Sequence, residues 1–130
     1  MMHKGSCLCG AVAFQVNQTL TDPIGCHCKQ CRQQSGFYFA AGHAKKSAVT
    51  FSKDASLVWF RASTFAMRGF CRACGSTLFW RNDEGDDIAV ALGAIDGPTG
   101  LTLGRHCWVD AKGDYYDLSD GLPQQGGFDG

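Results

Sequence analysis

The sequence predicts a small, mostly β domain, and three observations lead to this fold class. Short apolar runs rich in aromatic and β-branched residues recur along the chain, as is typical of strands. Glycine accounts for 17 of the 130 residues and supplies turns between these runs. Only one stretch, Lys29 to Gln34, has a composition that favours a helix, and it is short. A chain of this length fits one domain with a small core, so we predict a single domain over residues 1–130.

Seven runs are the candidate strands, and in chain order they are Ala11–Val16, Phe37–Ala40, Ala48–Phe51, Ser56–Phe60, Thr77–Trp80, Ile88–Leu92 and His106–Val109. Several short strands separated by turn signals are typical of an all-β or mostly β domain. The acidic stretch 82–87 is interpreted as a solvated hairpin turn rather than a cation site, because turn residues explain its composition. Residues 124–130 are expected to form a loose C-terminal tail.

The charge and hydropathy of the chain disfavour several classes of function. Twelve Lys and Arg balance twelve Asp and Glu, so there is no overall basic field to attract nucleic acid or anionic lipid. The start lacks the apolar run of a signal peptide, and no later stretch is long enough for a membrane span. We therefore expect a cytoplasmic protein without a membrane partner. In that reducing compartment, the eight cysteines are better interpreted as metal ligands or reactive thiols than as disulfides.

Two cysteine pairs predict a closed structural zinc site. Each pair ends in Cys-Gly, and glycine suits the tight backbone path of a metal-binding turn. Two cysteines one or two residues apart can direct both sulfurs to one ion, and two such pairs complete a tetrahedron. We therefore predict one zinc ion held by Cys7, Cys9, Cys71 and Cys74.

The remaining cluster has the spacing C-x-C-x2-C and comprises Cys26, Cys28 and Cys31, called the trio below. It has no fourth cysteine nearby, so the last coordination position is open to water, a substrate thiol or a distant side chain. Three thiolates weaken the power of zinc to activate water, whereas a soft, sulfur-rich site suits another thiol. A thiol bound as thiolate can attack a small electrophile. The trio is therefore the candidate catalytic site.

Several motifs occur together in a characteristic order. They are C-x-C-G near the start, G-C-H-C-x-x-C at 25–31, Ser35-Gly36, the segment 68–76 followed by Leu78 and Trp80, then His106, and finally Asp120 to Pro123. With this pattern the sequence resembles the glutathione-dependent formaldehyde-activating enzyme family, which also includes centromere protein V. The resemblance extends over roughly residues 5–123, which is nearly the whole chain.

The resemblance implies a β-rich fold of the Mss4-like kind with two zinc ions per chain. By position, the two Cys-Gly pairs match the structural site of the family. The trio matches its catalytic site, which holds zinc loosely and lies close to where glutathione binds. The implied activity is a carbon–sulfur lyase reaction in which glutathione and formaldehyde condense to S-hydroxymethylglutathione. The implied partners are thus glutathione or another small thiol and a small carbonyl electrophile.

Two further hypotheses stand beside the enzyme. In one, the protein is a non-enzymatic zinc-binding module for a protein or nucleic-acid partner, and both metal sites only hold the fold. In the other, the trio is a redox sensor, because exposed thiolates of low pKa are oxidisable. The redox hypothesis ranks last, because zinc protects thiolates and no dedicated resolving cysteine is evident. The number of bound zinc ions and their response to thiols distinguish the enzyme from the non-enzymatic zinc-binding module.

Other side chains receive more modest roles. His27 lies between two ligands, but adjacent residues tend to point apart, so we do not expect it to bind zinc. His106 is interpreted as a hydrogen-bonding residue rather than a proton shuttle, and Cys107 as a small buried hydrophobe rather than a fourth ligand. Arg68 and Arg72 either offset the charge of a zinc thiolate site, meet a carboxylate of glutathione, or are solvated. The tryptophans are expected in the core, at Trp59, Trp80 and Trp108.

Overall fold

The computed structural model describes residues 2–127. It has two compact units, each assembled from two separate stretches of chain. The first unit contains the residues up to Thr21 together with Gly42–Gly100, and the second contains Asp22–Ala41 together with the residues from Leu101 onward.

Ten strands and one α-helix make up most of the described chain. The strands are His3–Ser6 (β1), Ala13–Val16 (β2), Thr21–Cys26 (β3), Phe39–Lys45 (β4), Val49–Lys53 (β5), Leu57–Arg61 (β6), Ala66–Cys71 (β7), Thr77–Asn82 (β8), Asp87–Ala91 (β9) and Arg105–Cys107 (β10). The helix is Lys29–Ser35 (α1), and three short 3₁₀ turns lie at Lys46–Ala48, Leu92–Ala94 and Val109–Ala111.

The first unit is antiparallel and built around aromatic side chains. Strands β1, β2 and β5 form a three-stranded sheet, and strands β9, β8, β7 and β6 pair in that order. Phe79 on β8 is fully buried, and its ring lies 4.9 Å from that of Phe14, 5.6 Å from Phe51 and 5.8 Å from Trp59. Edge-to-face and offset ring contacts add about 0.5–1.5 kcal/mol each beyond the burial of apolar area.

The acidic stretch 82–87 is the turn of the hairpin between β8 and β9, as the sequence predicted. A lysine ammonium group closes it, because Lys46 Nζ donates to the carbonyl of Asn82 at 2.7 Å and to that of Gly85 at 3.0 Å. The hydroxyl of Ser47 donates to the carboxylate of Asp86. The turn is thus held by hydrogen bonds to neighbouring side chains.

The second unit contains a parallel strand pair and the helix. β10 runs parallel to β3, with Arg105 opposite Ile24 and Cys107 opposite Cys26. Helix α1 follows β3 directly and ends at Gly36, whose φ of 77° is in the left-handed region that glycine adopts at low cost. This arrangement places the trio at the junction of a strand end and a helix start.

The expected loose tail is hydrogen-bonded where the structure describes it. The amide of Gln125 donates to the carbonyl of His106 at 2.9 Å, and the amide of Trp108 donates to the carbonyl of Gly127 at 3.0 Å. Residues 124–127 therefore line the segment around β10 instead of hanging free. The rest of the expected tail, residues 128–130, lies outside the described residues.

The mostly β composition with one helix is confirmed, and α1 extends the predicted helix by one residue. Strands β1, β3 and β7 were not predicted, and the run expected over 106–109 ends at Cys107 because Trp108 takes a left-handed conformation with φ 58°. The single domain over 1–130 stays a prediction. None of the helices in the described part of the chain is long and apolar enough to cross a membrane.

Candidate metal centres

The first unit brings together the four cysteines of the two Cys-Gly pairs. One sulfur from each of Cys7, Cys9, Cys71 and Cys74 lies within 4.8 Å of all the others. The Sγ atoms of Cys7 and Cys9 are 3.7 Å apart, and those of Cys9 and Cys71 are 3.8 Å apart. Ligands about 2.3 Å from zinc at the corners of a tetrahedron lie about 3.8 Å from one another. The four thiols therefore fit one tetrahedral zinc ion.

Two similar turns present these thiols. Cys7 follows β1 and Cys71 ends β7, and each begins a turn that a glycine completes. The amide of Gly10 donates to the carbonyl of Cys7 at 3.1 Å, and the amide of Gly75 donates to that of Cys71 at 2.8 Å. Both glycines are left-handed, with φ of 81° and 79°. The repeated Cys-Gly in the sequence thus corresponds to a repeated backbone turn.

Hydrogen bonds at this site favour the thiolates of Cys74 and Cys7, whereas at Cys9 the backbone hydrogen bond at Ala11 is outweighed by loss of hydration and the neighbouring thiols, which raise its pKa to about 11. The hydroxyl of Ser76 lies 3.1 Å from Cys74 Sγ and, together with the backbone amides of Ser76 and Cys9, lowers the pKa of Cys74 to about 5. The amide of Val12 donates to Cys7 Sγ at 3.2 Å. Such donors stabilise the negative charge that four thiolates carry around a divalent ion.

The second unit brings together the trio. The Sγ atoms of Cys26, Cys28 and Cys31 lie within 4.8 Å of one another, and those of Cys28 and Cys31 are 3.2 Å apart. Cys26 ends β3, Cys28 is the residue that caps α1, and Cys31 lies buried in the first turn of that helix. The amide of Cys31 donates to Cys28 Sγ at 3.4 Å. These three thiols fit one metal ion, and within residues 2–127 no fourth side chain completes the group.

Cys107 lies beside the trio without joining it. It is fully buried on β10, directly opposite Cys26, and the two thiols are hydrogen-bonded to each other. The burial agrees with its interpretation as a small buried residue. Sequence reasoning missed its contact with Cys26, because that contact depends on a strand pairing which brings distant parts of the chain together.

Beside the trio, His27 belongs to a chain of hydrogen-bonded side chains. Its Nδ1 is 2.5 Å from the hydroxyl of Tyr116, and its Nε2 is 2.8 Å from Nδ1 of His106. His106 Nε2 is in turn 2.7 Å from a carboxylate oxygen of Asp120. Loss of hydration lowers the pKa of His27 to about 4, with a further contribution from His106, and His106 lowers the pKa of Asp120.

This arrangement shows what surrounds the two histidines. Both ring nitrogens of His27 are engaged by side chains, so the ring is not directed at a metal. His106 is buried and hydrogen-bonded to Asp120, while its role as a hydrogen-bonding residue rather than a proton shuttle stays a prediction. Tyr116 was not singled out from the sequence, since nothing in its neighbourhood separates it from Tyr115.

The arginines and tryptophans differ in burial. Arg68 is 4% exposed, whereas Arg72 is exposed beside the Cys71 pair. Trp59 and Trp80 are partly buried on strands of the first unit. The expectation of a core position is wrong for Trp108, which is 40% exposed because β10 ends before it and the backbone turns there.

Comparisons with known proteins agree with this picture. The model of the family described as glutathione-dependent formaldehyde-activating enzyme matches residues 2–111. An uncharacterized lyase of Schizosaccharomyces pombe is 28% identical over 120 residues, which cover 91% of this chain and 86% of the relative. The crystal structure of a Rhodobacter sphaeroides protein matches with a TM-score of 0.63 and 28% identity, over 73% of this chain and 89% of that one.

The structural match supports the mostly β, Mss4-like fold class that the sequence predicted. The family model covers both Cys-Gly pairs, the trio and His106. On the strength of that match, the chain belongs to the glutathione-dependent formaldehyde-activating enzyme family.

Proposed function

We propose that this protein is a zinc-dependent enzyme of the carbon–sulfur lyase type, which joins glutathione or another small thiol to formaldehyde or a related small carbonyl. The observation that carries the proposal is the trio, whose thiols converge on one point and supply three ligands. Catalytic zinc sites commonly have three protein ligands and keep one position for substrate. The family match and the name of the yeast relative as a lyase support the same class of activity.

In this proposal each chain holds two zinc ions with different tasks. Four thiolates close the structural site at Cys7, Cys9, Cys71 and Cys74, and three hold the catalytic ion at Cys26, Cys28 and Cys31. Zinc in the three-thiolate site supplies a soft Lewis acid that favours ionisation of a substrate thiol at neutral pH. The end of β3 and the short helix α1 position the trio, because they hold its three sulfurs close together.

The proposed reaction conserves all atoms of both substrates. The sulfur of the thiol forms a bond to the carbonyl carbon, and the π electron pair of the carbonyl moves to its oxygen. That oxygen takes up one proton, which balances the proton lost by the thiol. With glutathione and formaldehyde the product is S-hydroxymethylglutathione.

We place this enzyme in the cytoplasm. All eight cysteines lie in the described part of the chain, and no disulfide joins any of them there. Thiols clustered for metal binding suit a reducing compartment. Glutathione is abundant in such a compartment, so the proposed thiol and the proposed address are consistent.

The test combines metal analysis with a rate measurement. We expect two zinc ions per purified chain, one of which a chelator removes more readily and glutathione perturbs. Formation of S-hydroxymethylglutathione should exceed the spontaneous rate and should fall to it once the labile zinc is removed. Equal retention of both ions with no response to glutathione would instead favour a non-enzymatic zinc-binding module.

A further inference from the structure

The hydrogen-bonded network of Tyr116, His27, His106 and Asp120 connects the trio segment to a distant part of the sequence. Its two histidines, His27 and His106, are fully buried, whereas the side chain of Asp120 is 44% exposed. Charged and polar groups are rarely buried without partners. Here every polar atom of both rings has a partner, so the chain is a complete network rather than a chance contact.

The chemistry of the groups determines which atom donates and which accepts in each hydrogen bond of this network. The carboxylate of Asp120 only accepts, so His106 carries its proton on Nε2 and donates to it. When His106 is neutral, its Nδ1 accepts from Nε2–H of His27. Nδ1 of His27 then accepts from the hydroxyl of Tyr116. One arrangement of protons satisfies all four side chains, and it requires the same tautomer of both histidines.

The hydrogen-bonded network holds the backbone between two thiols of the trio. His27 separates Cys26 from Cys28, and its own amide donates to the carbonyl of Cys107 at 2.9 Å. Its ring also packs against Tyr38, with ring centres 4.6 Å apart. Side-chain and backbone contacts therefore both fix residue 27. Since neighbouring side chains diverge from a shared backbone, fixing His27 also limits the directions in which the Cα–Cβ bonds of Cys26 and Cys28 point.

We infer that Tyr116, His106 and Asp120 are positioning residues that act through His27 to hold Cys26 and Cys28 in the arrangement that binds metal. This inference rests on the proposed function, because it assigns the network to the zinc site of the trio. None of these four side chains contributes a ligand to the group of three sulfurs. Their effect is to reduce the conformational freedom that metal binding would otherwise have to remove.

The test measures zinc affinity at both sites of the same molecule by competition with a chromophoric chelator. We expect Asp120→Ala and Tyr116→Phe to weaken zinc binding at the trio about tenfold, a size typical of lost outer hydrogen bonds at metal sites. The four-cysteine site should keep its affinity and serves as the internal reference. Asp120→Asn keeps an acceptor oxygen and should restore most of the loss.

The neighbouring tyrosine provides a matched control. Tyr115 is 59% exposed, and its hydroxyl donates to the carbonyl of Gly36 at 2.7 Å. Tyr115→Phe thus removes one hydroxyl hydrogen bond at the position before Tyr116 but leaves the hydrogen bond from Tyr116 to His27 intact. It should bind zinc at the trio as the wild type does.

A spectroscopic measurement checks the assignment of donors and acceptors in the network independently of metal affinity. In long-range ¹H–¹⁵N spectra, both His27 and His106 should show the tautomer protonated on Nε2, and Asp120→Ala should disturb the signals of His106 and then those of His27. Wild-type zinc affinity at the trio in both Asp120→Ala and Tyr116→Phe would overturn the positioning role, as would an equal loss at both sites. A wild-type trio that binds no zinc would overturn the proposed function as well.

Discussion

At the scale of single residues, Cys107 shows how near a thiol can lie to a metal site without completing it. Its sulfur contacts that of Cys26, yet the set of mutually close sulfurs contains only the trio. We therefore expect Cys107→Ala to retain both of the zinc ions proposed above, at a cost in stability of about 1 kcal/mol for the lost buried atoms. Metal content per chain and urea unfolding measure the two effects. Loss of one zinc ion would instead make Cys107 the fourth ligand of the trio.

Gly75 is the residue on which the second Cys-Gly turn depends. Its φ of 79° is costly for any residue with a Cβ atom, by about 1–2 kcal/mol. Gly75→Ala should lower the free energy of unfolding by about that amount and weaken zinc binding at the four-cysteine site. Gly97→Ala is the matched control, because Gly97 has ordinary φ and open space around it. Equal stability of the two variants would contradict the role given to the turn.

At the scale of elements, β8 carries the centre of the aromatic core in the first unit. Phe79 is fully buried there and meets three other rings. Phe79→Ala should lower the free energy of unfolding by about 3–5 kcal/mol, because it leaves a cavity among rigid rings. Chemical denaturation measures the loss. Phe60→Ala on β6 is the control, since Phe60 is 58% exposed and should change stability little.

The elements also show where sequence patterns succeed and where they fail. Runs such as 77–80 and 88–92 were recognised because their apolar, β-branched and aromatic residues signal a strand without knowledge of partners. β1, β3 and β7 were missed because Lys4, Pro23 and Gly69 interrupt the pattern. β1 and β7 pair with strands adjacent in the sequence, whereas β3 pairs with the distant β10. Local composition does not encode such pairings.

The candidate sites divide in the same way. Grouping of the cysteines could be predicted, because close spacing and the repeated Cys-Gly limit which thiols share an ion. The network of Tyr116, His27, His106 and Asp120 could not, although three of its members, all but Tyr116, stood in recognised motifs. Its hydrogen bonds join positions up to 89 residues apart, and no local pattern specifies which tyrosine meets which histidine.

At the scale of the whole molecule, the two metal centres should fail in different ways. We expect Cys28→Ser to abolish thiol-dependent turnover while the fold remains, because only the trio loses a ligand. Cys74→Ser removes a ligand from the proposed structural site, which joins residues 62 positions apart and where bound zinc would contribute directly to folding. Its melting temperature should fall by about 10 °C or more. Circular dichroism measures the melting temperatures of both variants, and a rate assay measures their thiol-dependent turnover.

Similar melting curves for the two serine variants would contradict this division of labour. The same measurements on Ser63→Ala provide a reference for the effect of a small substitution at a residue that belongs to neither cysteine group. Ser63 lies in the loop between β6 and β7 and is only partly buried. It should match the wild type in both turnover and melting temperature.

The parallel pairing of β3 with β10 has a consequence for the order in which the chain is made. His27 and His106 are 79 positions apart, and translation proceeds at roughly 5–20 residues per second. The trio therefore leaves the ribosome about 4–16 s before the strand that frames it. Throughout that interval the nascent thiols meet the metals and oxidants of the cell without the support of β10.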